Sequence, residues 1–233
     1  MTATPTIAPS AQRAAAAAVL GADISAAASY GEALTLGGLD WTVERTVPSM
    51  VSLLTPDGEA VVIDPNGRHF LHRSDTGALF GVATDRYTIV NNQPAFAVAE
   101  LLREQGAVYD RAGTTHGGAK VFLTMDLPDV ALRVGGKDVV SASVVLRTSH
   151  DGNGAIYGGT QLRRLVCVNG MVAAEGIAAY RIRHTTTATD RLEAARVIMR
   201  NAVREAREFG AAADHLLSVK MTNSEFEAFI TGL

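Results

Sequence analysis

A chain of 233 residues is long for one domain and short for two, so it reads as one domain with appendages. Its hydrophobic content of 47% is enough for a core, and its net charge of −3 excludes a surface that is basic all over, so contact with a polyanion must be local or repeated over many subunits. Cys167 is the single cysteine, which excludes an intrachain disulfide and suits a reducing cytosol.

Met1–Ser10 reads as a mobile tail and Ala11–Leu20 as an alanine-rich helix ended by Gly21. Neither has the basic start of a signal peptide, and no stretch approaches the roughly 18 apolar residues that a membrane-spanning helix needs. Ser29-Tyr30-Gly31-Glu32 has the pattern of a capping box and predicts a short helix over Glu32–Leu36, stopped by Gly37-Gly38. From Trp41 the hydrophobic period becomes two. Strands are predicted over Trp41–Val47, Met50–Leu54, Ala60–Ile63, His69–Arg73, Leu79–Ala83 and Tyr87–Val90, divided by turns such as Pro56-Asp57-Gly58 and Ser74-Asp75-Thr76-Gly77. A helix follows, capped by Asn92 and closed by Gly106, with Phe96, Ala99 and Leu102 on its apolar stripe. Further strands are predicted over Val108–Thr114, Lys120–Leu127, Val130–Val134, Val139–Arg147, Ala155–Gly159 and Arg164–Val168, with Gly117-Gly118 and Gly135-Gly136 at turns. A short alanine-rich helix is expected to run to about Ala179. Asp190–Phe209 is the strongest helix, with Asp190 and Glu193 as its capping box, and Thr222-Asn223-Ser224-Glu225 opens a last one. The fold class expected is α+β: an antiparallel meander with packed helices and a long C-terminal helix. Residues 1–28 form an N-terminal arm, 29–187 the core domain and 188–233 a C-terminal helical segment.

The chemistry-bearing residues concentrate between Arg147 and Thr185, where five Arg and two His stand against Asp151 and Glu175. Before Arg147 the chain holds ten Lys and Arg against fifteen Asp and Glu, so an anionic partner is drawn to the later segment. The candidate binding residues are Lys120, Arg147, His150, Arg163, Arg164, Tyr180, Arg181, Arg183 and His184. Arginine beside an aromatic ring suits a single strand, whose phosphates pair while its bases stack. Plainer readings stand beside this one. Tyr180–His184 is equally a hinge held by salt bridges, Ser149–Asn153 a strand-end loop, and Cys167 an inert thiol among Leu165, Val166 and Val168. Ser149-His150-Asp151 are consecutive, and strand neighbours point to opposite faces, so they cannot form a relay with one another. The scattered histidines lack metal-ligand spacing, and Gly113–Lys120 lacks the phosphate-loop pattern. No catalytic residue, metal or cofactor is expected.

Several of these segments together resemble the phage/plasmid-like protein family, catalogued as domain of unknown function 932. They are Gly38-Leu39-Asp40-Trp41, Ser74-Asp75-Thr76-Gly77 with Gly81-Val82 and Asp85-Arg86-Tyr87, Phe96, Ser149-His150-Asp151-Gly152, Arg164–Asn169 and Ile182-Arg183-His184-Thr185. The resemblance runs from about Gly31 to the C-terminus. It departs at Val168-Asn169, where the family usually has Gln-Asn. It implies a phage, prophage or plasmid setting and the cytoplasm of a bacterial or phage-infected cell, and it carries no established chemistry. With the basic segment, this setting leads to the expectation of an oligomeric protein that binds single-stranded DNA and anneals strands in recombination. Ala11–Leu20 is the expected contact between copies. The alternatives are an anti-defence or host-takeover binding protein, and a nucleic-acid-processing enzyme using His150, Asp151 and His184.

Overall fold

Short connections between period-two runs dictate hairpins, because a parallel crossover needs a dozen or more residues. The computed structural model of the chain describes residues 21–48, 51–63, 66–134, 138–165 and 172–231. Its elements in chain order are β1 (Ala22–Asp23), α1 (Tyr30–Leu36), β2 (Val43–Thr46), β3 (Val51–Leu54), β4 (Ala60–Ile63), β5 (Arg68–Arg73) and β6 (Leu79–Thr84). Helices α2 (Asn92–Phe96) and α3 (Val98–Glu104) follow. Then come β7 (Val108–Thr115), β8 (Lys120–Val134), β9 (Asp138–Ser149), β10 (Ala155–Leu165), β11 (Val172–Arg183), α4 (Ala188–Ser218) and α5 (Asn223–Thr231). Every strand pair described is antiparallel. The main sheet has the order β1-β7-β8-β9-β10-β11, a meander from β7 onward; β2-β5-β6 form a second sheet and β3-β4 a hairpin. This is the α+β class, with an antiparallel meander and a long C-terminal helix.

One face of the main sheet is closed by helices. Val121, Leu123, Met125 and Leu127 of β8, Val144 and Leu146 of β9, Ile156 of β10, and Tyr180 and Ile182 of β11 join one core with Ala195, Met199 and Val203 of α4 and Phe96, Ala99 and Leu102 of the α2–α3 pair. The spacing of Ala188, Ala195, Met199 and Val203 is the one-sided stripe that holds α4 to the sheet. The first part of α4 is thereby part of the core domain, while α5 buries none of its residues.

Several local expectations are corrected. Val172–Arg183 is a strand and not a helix to Ala179. Alanine favours helix by at most about 0.7 kcal/mol per residue over ordinary residues, and Gly176 works against it, so an eleven-pair ladder to β10 decides the outcome. Tyr87–Val90 joins no strand ladder; its Thr88 N–H donates to the His184 carbonyl, just after β11, at 3.1 Å. The predicted helix after Asn92 divides at Ala97, and Asn91 is its cap position, without a side-chain capping bond. Helix α4 starts before Asp190, with the Thr187 carbonyl accepting from the Arg191 N–H at 3.1 Å, so Asp190 and Glu193 lie inside the helix. The two capping sequences elsewhere act as expected in kind. Ser29 Oγ accepts from the Glu32 N–H, although Glu32 reaches back to Ala28; Thr222 and Glu225 cap each other reciprocally. Met1–Leu20, Gly135-Gly136 and Cys167 lie outside the described residues.

Candidate nucleic-acid interface

The register of four strands sets a row of side chains. Phe122 stands opposite Arg147, Arg147 opposite Tyr157, and Tyr157 opposite Arg181. Two residues toward the sheet end, Lys120 stands opposite Ser149 and Ala155 opposite Arg183. Successive side chains on a strand alternate between faces. Because Val121, Leu123, Leu146, Ile156, Tyr180 and Ile182 belong to the helix-side core, Lys120, Phe122, Arg147, Tyr157, Arg181 and Arg183 take the opposite face. Strands lie about 4.8 Å apart, so Arg147 and Arg181, two strands apart, have backbones about 10 Å from each other.

Lys120, Arg147, Arg181 and Arg183 are exposed; Phe122 and Tyr157 are half-buried between them. The Arg147 guanidinium lies 5.9 Å from the Tyr157 ring centroid, at the outer limit of a cation–π contact. None of the four cations has an ion-pair partner among the described residues. The nearby Asp151 is occupied by its own loop, its Oδ1 accepting from the N–H groups of Asn153 and Gly154 at 2.9 Å each. Burial raises its carboxyl pKa, but these bonds and the Lys120 charge help hold it below its ordinary value. Gly152 takes a φ of 81° in this loop, where a Cβ would lie 2.7 Å from the Val82 carbonyl oxygen, so the loop seats closely on β6.

The other candidates divide from this row. Tyr180 is 7% exposed, and its ring fills the space over Gly158, where a Cβ would lie 2.3 Å from a ring carbon. Burial raises its hydroxyl pKa well above the ordinary value. It cannot stack on a base in this arrangement. His184 is also buried: its ring stacks on Tyr87 at 4.9 Å, Nδ1 donates to the Thr88 carbonyl at 3.3 Å, and Nε2 lies 3.5 Å from Thr148 Oγ1. His150 is 0% exposed. Its Nε2 lies 2.8 Å from Asn92 Oδ1, and Asn92 Nδ2 donates to the Leu39 carbonyl at 3.0 Å. Since Oδ1 can only accept, His150 carries its proton on Nε2, and the buried Nδ1 is left without a partner in the structure. Trp41 and Phe80 pack around the same ring, with centroids at 5.5 and 6.1 Å. Burial, then the neighbouring His184, lowers the His150 pKa to about 4 against a smaller pull from Asp151; burial also lowers that of His184.

The expectation that His150, Tyr180 and His184 face a ligand is therefore corrected. All three sit on the core side, and the two histidines tie the ends of β9 and β11 to the segment 39–92. Burial also keeps both histidines of the alternative catalytic set from a bound substrate in this arrangement. Arg163 pairs in register with Ser141 and Arg164 with Val140. Arg163 lies six residues along β10 from Tyr157, about 20 Å at the rise of a strand. The structure thus does not bring these two arginines to the row; their side chains lie outside the described residues. Phe122 and Tyr157 are the residues that the sequence reading missed. The signal was present for Phe122, two positions from Lys120 on a period-two run; Tyr157 has no candidate cation two positions away and only the strand register places it in the row. Among the described residues, no three His, Cys, Asp or Glu are grouped to hold a metal, and no helix is long and apolar enough to cross a membrane.

No curated protein matches the chain. A family model described as Domain of unknown function (DUF932) matches residues 79–233, from β6 through β7–β11 to both C-terminal helices, and so includes every residue of the row together with His150 and His184. The chain belongs to the DUF932 family.

Proposed function

We propose that the protein binds single-stranded DNA along the row Lys120, Phe122, Arg147, Tyr157, Arg181 and Arg183, and acts as an oligomeric strand-annealing protein in recombination. A phage or other mobile element in a bacterial cell is the proposed setting. The observation that carries the reading is the register that puts Phe122, Arg147, Tyr157 and Arg181 in one file across four strands, with Lys120 and Arg183 beside it. Unpaired cations spaced around two partly exposed rings suit a flexible strand, because phosphates contact the cations while bases lie on the rings. A duplex holds its bases stacked inward and gains nothing from the rings. The contacts are sequence-independent, as annealing requires, because neither phosphates nor π-faces identify a base. With a net charge of −3, one copy offers a short cationic track, and repeating it over many copies raises the affinity for a long strand.

The test is fluorescence anisotropy with a labelled oligothymidylate across a salt series. Four phosphate contacts give a log–log slope of roughly −3, at about −0.7 per contact on a single strand. Arg147→Ala/Arg181→Ala should make the slope shallower by about 1.4 and weaken binding to all sequences alike. Equal binding by wild type and a stably folded double variant at every salt concentration would remove the row from any DNA site. No binding by wild type would end the annealing reading with it.

A further inference from the structure

We infer that α5 of one copy docks on the exposed stripe of α4 of a second copy, linking chains through their C-terminal helices. Helix α5 is attached to the body by residues 219–222 alone and presents Phe226, Phe229 and Ile230 at 56%, 55% and 54% exposure. These three lie on one side of the helix, at spacings of three and four residues. Large apolar groups on a nine-residue helix that buries none of them call for a partner surface. Helix α4 offers one on the side away from its core stripe: Ala194, Val197, Ile198 and Asn201 follow the same spacing, with Val197 at 55% and Ile198 at 44% exposure.

Charge fixes where α5 can sit. Its apolar side is flanked by Glu225 and Glu227, and residues 223–231 include no cation. On α4, Arg196 pairs with Glu193, Arg204 with Glu208 and Arg207 with Asp129, which leaves Arg191 and Arg200 without an ion-pair partner among the described residues, Arg200 three residues from Val197. Asp190 and Glu205 stand at the two ends of the stripe. An acid-flanked helix is attracted to the stretch between Arg191 and Arg200, over Val197 and Ile198, with Glu227 facing Arg200.

Reach decides that the occupant is a second copy. Twenty residues separate Ile198 from Ser218, about 30 Å of helix. The linker spans at most about 18 Å when fully extended, and the residues from Asn223 to Ile230 add about 10 Å more. Ile230 therefore reaches back about 28 Å at most, Phe226 several ångströms less, and laying two helices side by side uses about 8–10 Å of that chain. The chain's own α5 falls short of the stripe. Such a contact joins unlike surfaces, so it builds head-to-tail and repeats, as a ring or a filament. It supplies the array that the DNA reading calls for, yet stands on different residues.

The test is sedimentation velocity on the whole chain without DNA, over a range of concentrations. The mass of wild type should rise with concentration. Phe226→Ser/Phe229→Ser and Val197→Ser/Ile198→Ser should each stay monomeric while keeping the wild-type circular dichroism and melting temperature, since all four side chains are exposed. Mixed, these two variants should form a one-to-one complex that grows no further, because only one intact pair of surfaces remains. Arg200→Glu should weaken association and Glu227→Arg in the same chain should restore it. A wild type that stays monomeric at all concentrations, or an assembly that survives both double variants, overturns the inference. A monomer that still binds oligothymidylate would sink this inference alone; an assembly that binds none would sink the DNA reading alone.

Discussion

The two faces of β11 make different uses of one short run. Tyr180, Ile182 and His184 turn to the core, where Tyr180 packs over Gly158 and His184 stacks on Tyr87. Arg181 and Arg183, interleaved with them, turn to the exposed face beside Arg147 and Tyr157. Five adjacent residues that look like one basic-aromatic motif are thus two sets with different tasks. Alternation along a strand separates groups that composition lumps together. Substitution on one side should cost stability and on the other only binding.

The largest expected effect is on the buried side. His150→Ala removes a fully buried ring from between Trp41 and Phe80 and leaves Asn92 Oδ1 without its donor. The cavity and the orphaned acceptor together should cost about 3–5 kcal/mol, read from urea denaturation. A loss under about 1 kcal/mol would mean that the ring is not packed as described.

Acid should weaken the same contact. The His150 pKa is lowered from 6.5 to about 4 in the folded chain, so the unfolded chain takes up a proton first as the pH falls. The stabilisation is complete above about pH 6.5 and is lost progressively down to about pH 4. Each tenfold difference in proton affinity between the two states is worth about 1.4 kcal/mol, which makes the total about 3 kcal/mol. His184 acts in the same direction. Denaturation midpoints measured from neutral pH downward should show this fall, and His150→Gln, which cannot titrate, should reduce it.

Gly158→Ala sharpens the comparison within one strand pair. A Cβ placed 2.3 Å from the Tyr180 ring forces that buried ring aside, at about 1–3 kcal/mol. The cost should shrink in a Tyr180→Ala background, where the ring is absent, and a double-mutant cycle measures the coupling. Additive effects would show that the two do not touch.

Smallest in stability is Arg181→Ala, next in sequence to Tyr180. Its side chain is exposed and has no ion-pair partner among the described residues, so the change should stay within about 0.5 kcal/mol. Its effect belongs to oligothymidylate binding, measured beside a melting curve. A stability loss as large as that of Gly158→Ala would break the division between the two faces.

Much of the fold was legible because its signals are local. Turn residues and alternating runs place β4 at Ala60–Ile63 as observed, and locate β5–β9 to within a residue or two apart from the bulge that joins the two runs of β8. The site was legible only in composition. Lys120, Arg147, Arg181 and Arg183 do share an exposed face, yet Tyr180, His150 and His184 were grouped with them on composition, which carries no information about facing. Arg163 and Arg164 were included because sequence nearness hides the length of a strand.

The sequence by itself determined the α+β class, the hairpin order and the amphipathic long helix, since each depends on residues within a turn or two of one another. Only the tertiary structure decided the state of Val172–Arg183. Local propensity there favours a helix by fractions of a kcal/mol per residue, and the competing term is a ladder to a strand whose register the local sequence does not reveal. That ladder also decided which side chains face outward, because facing is fixed once a strand is paired. The buried contact between His150 and Asn92 was decided in the same way: the two are 58 residues apart, and nothing in either neighbourhood specifies the other.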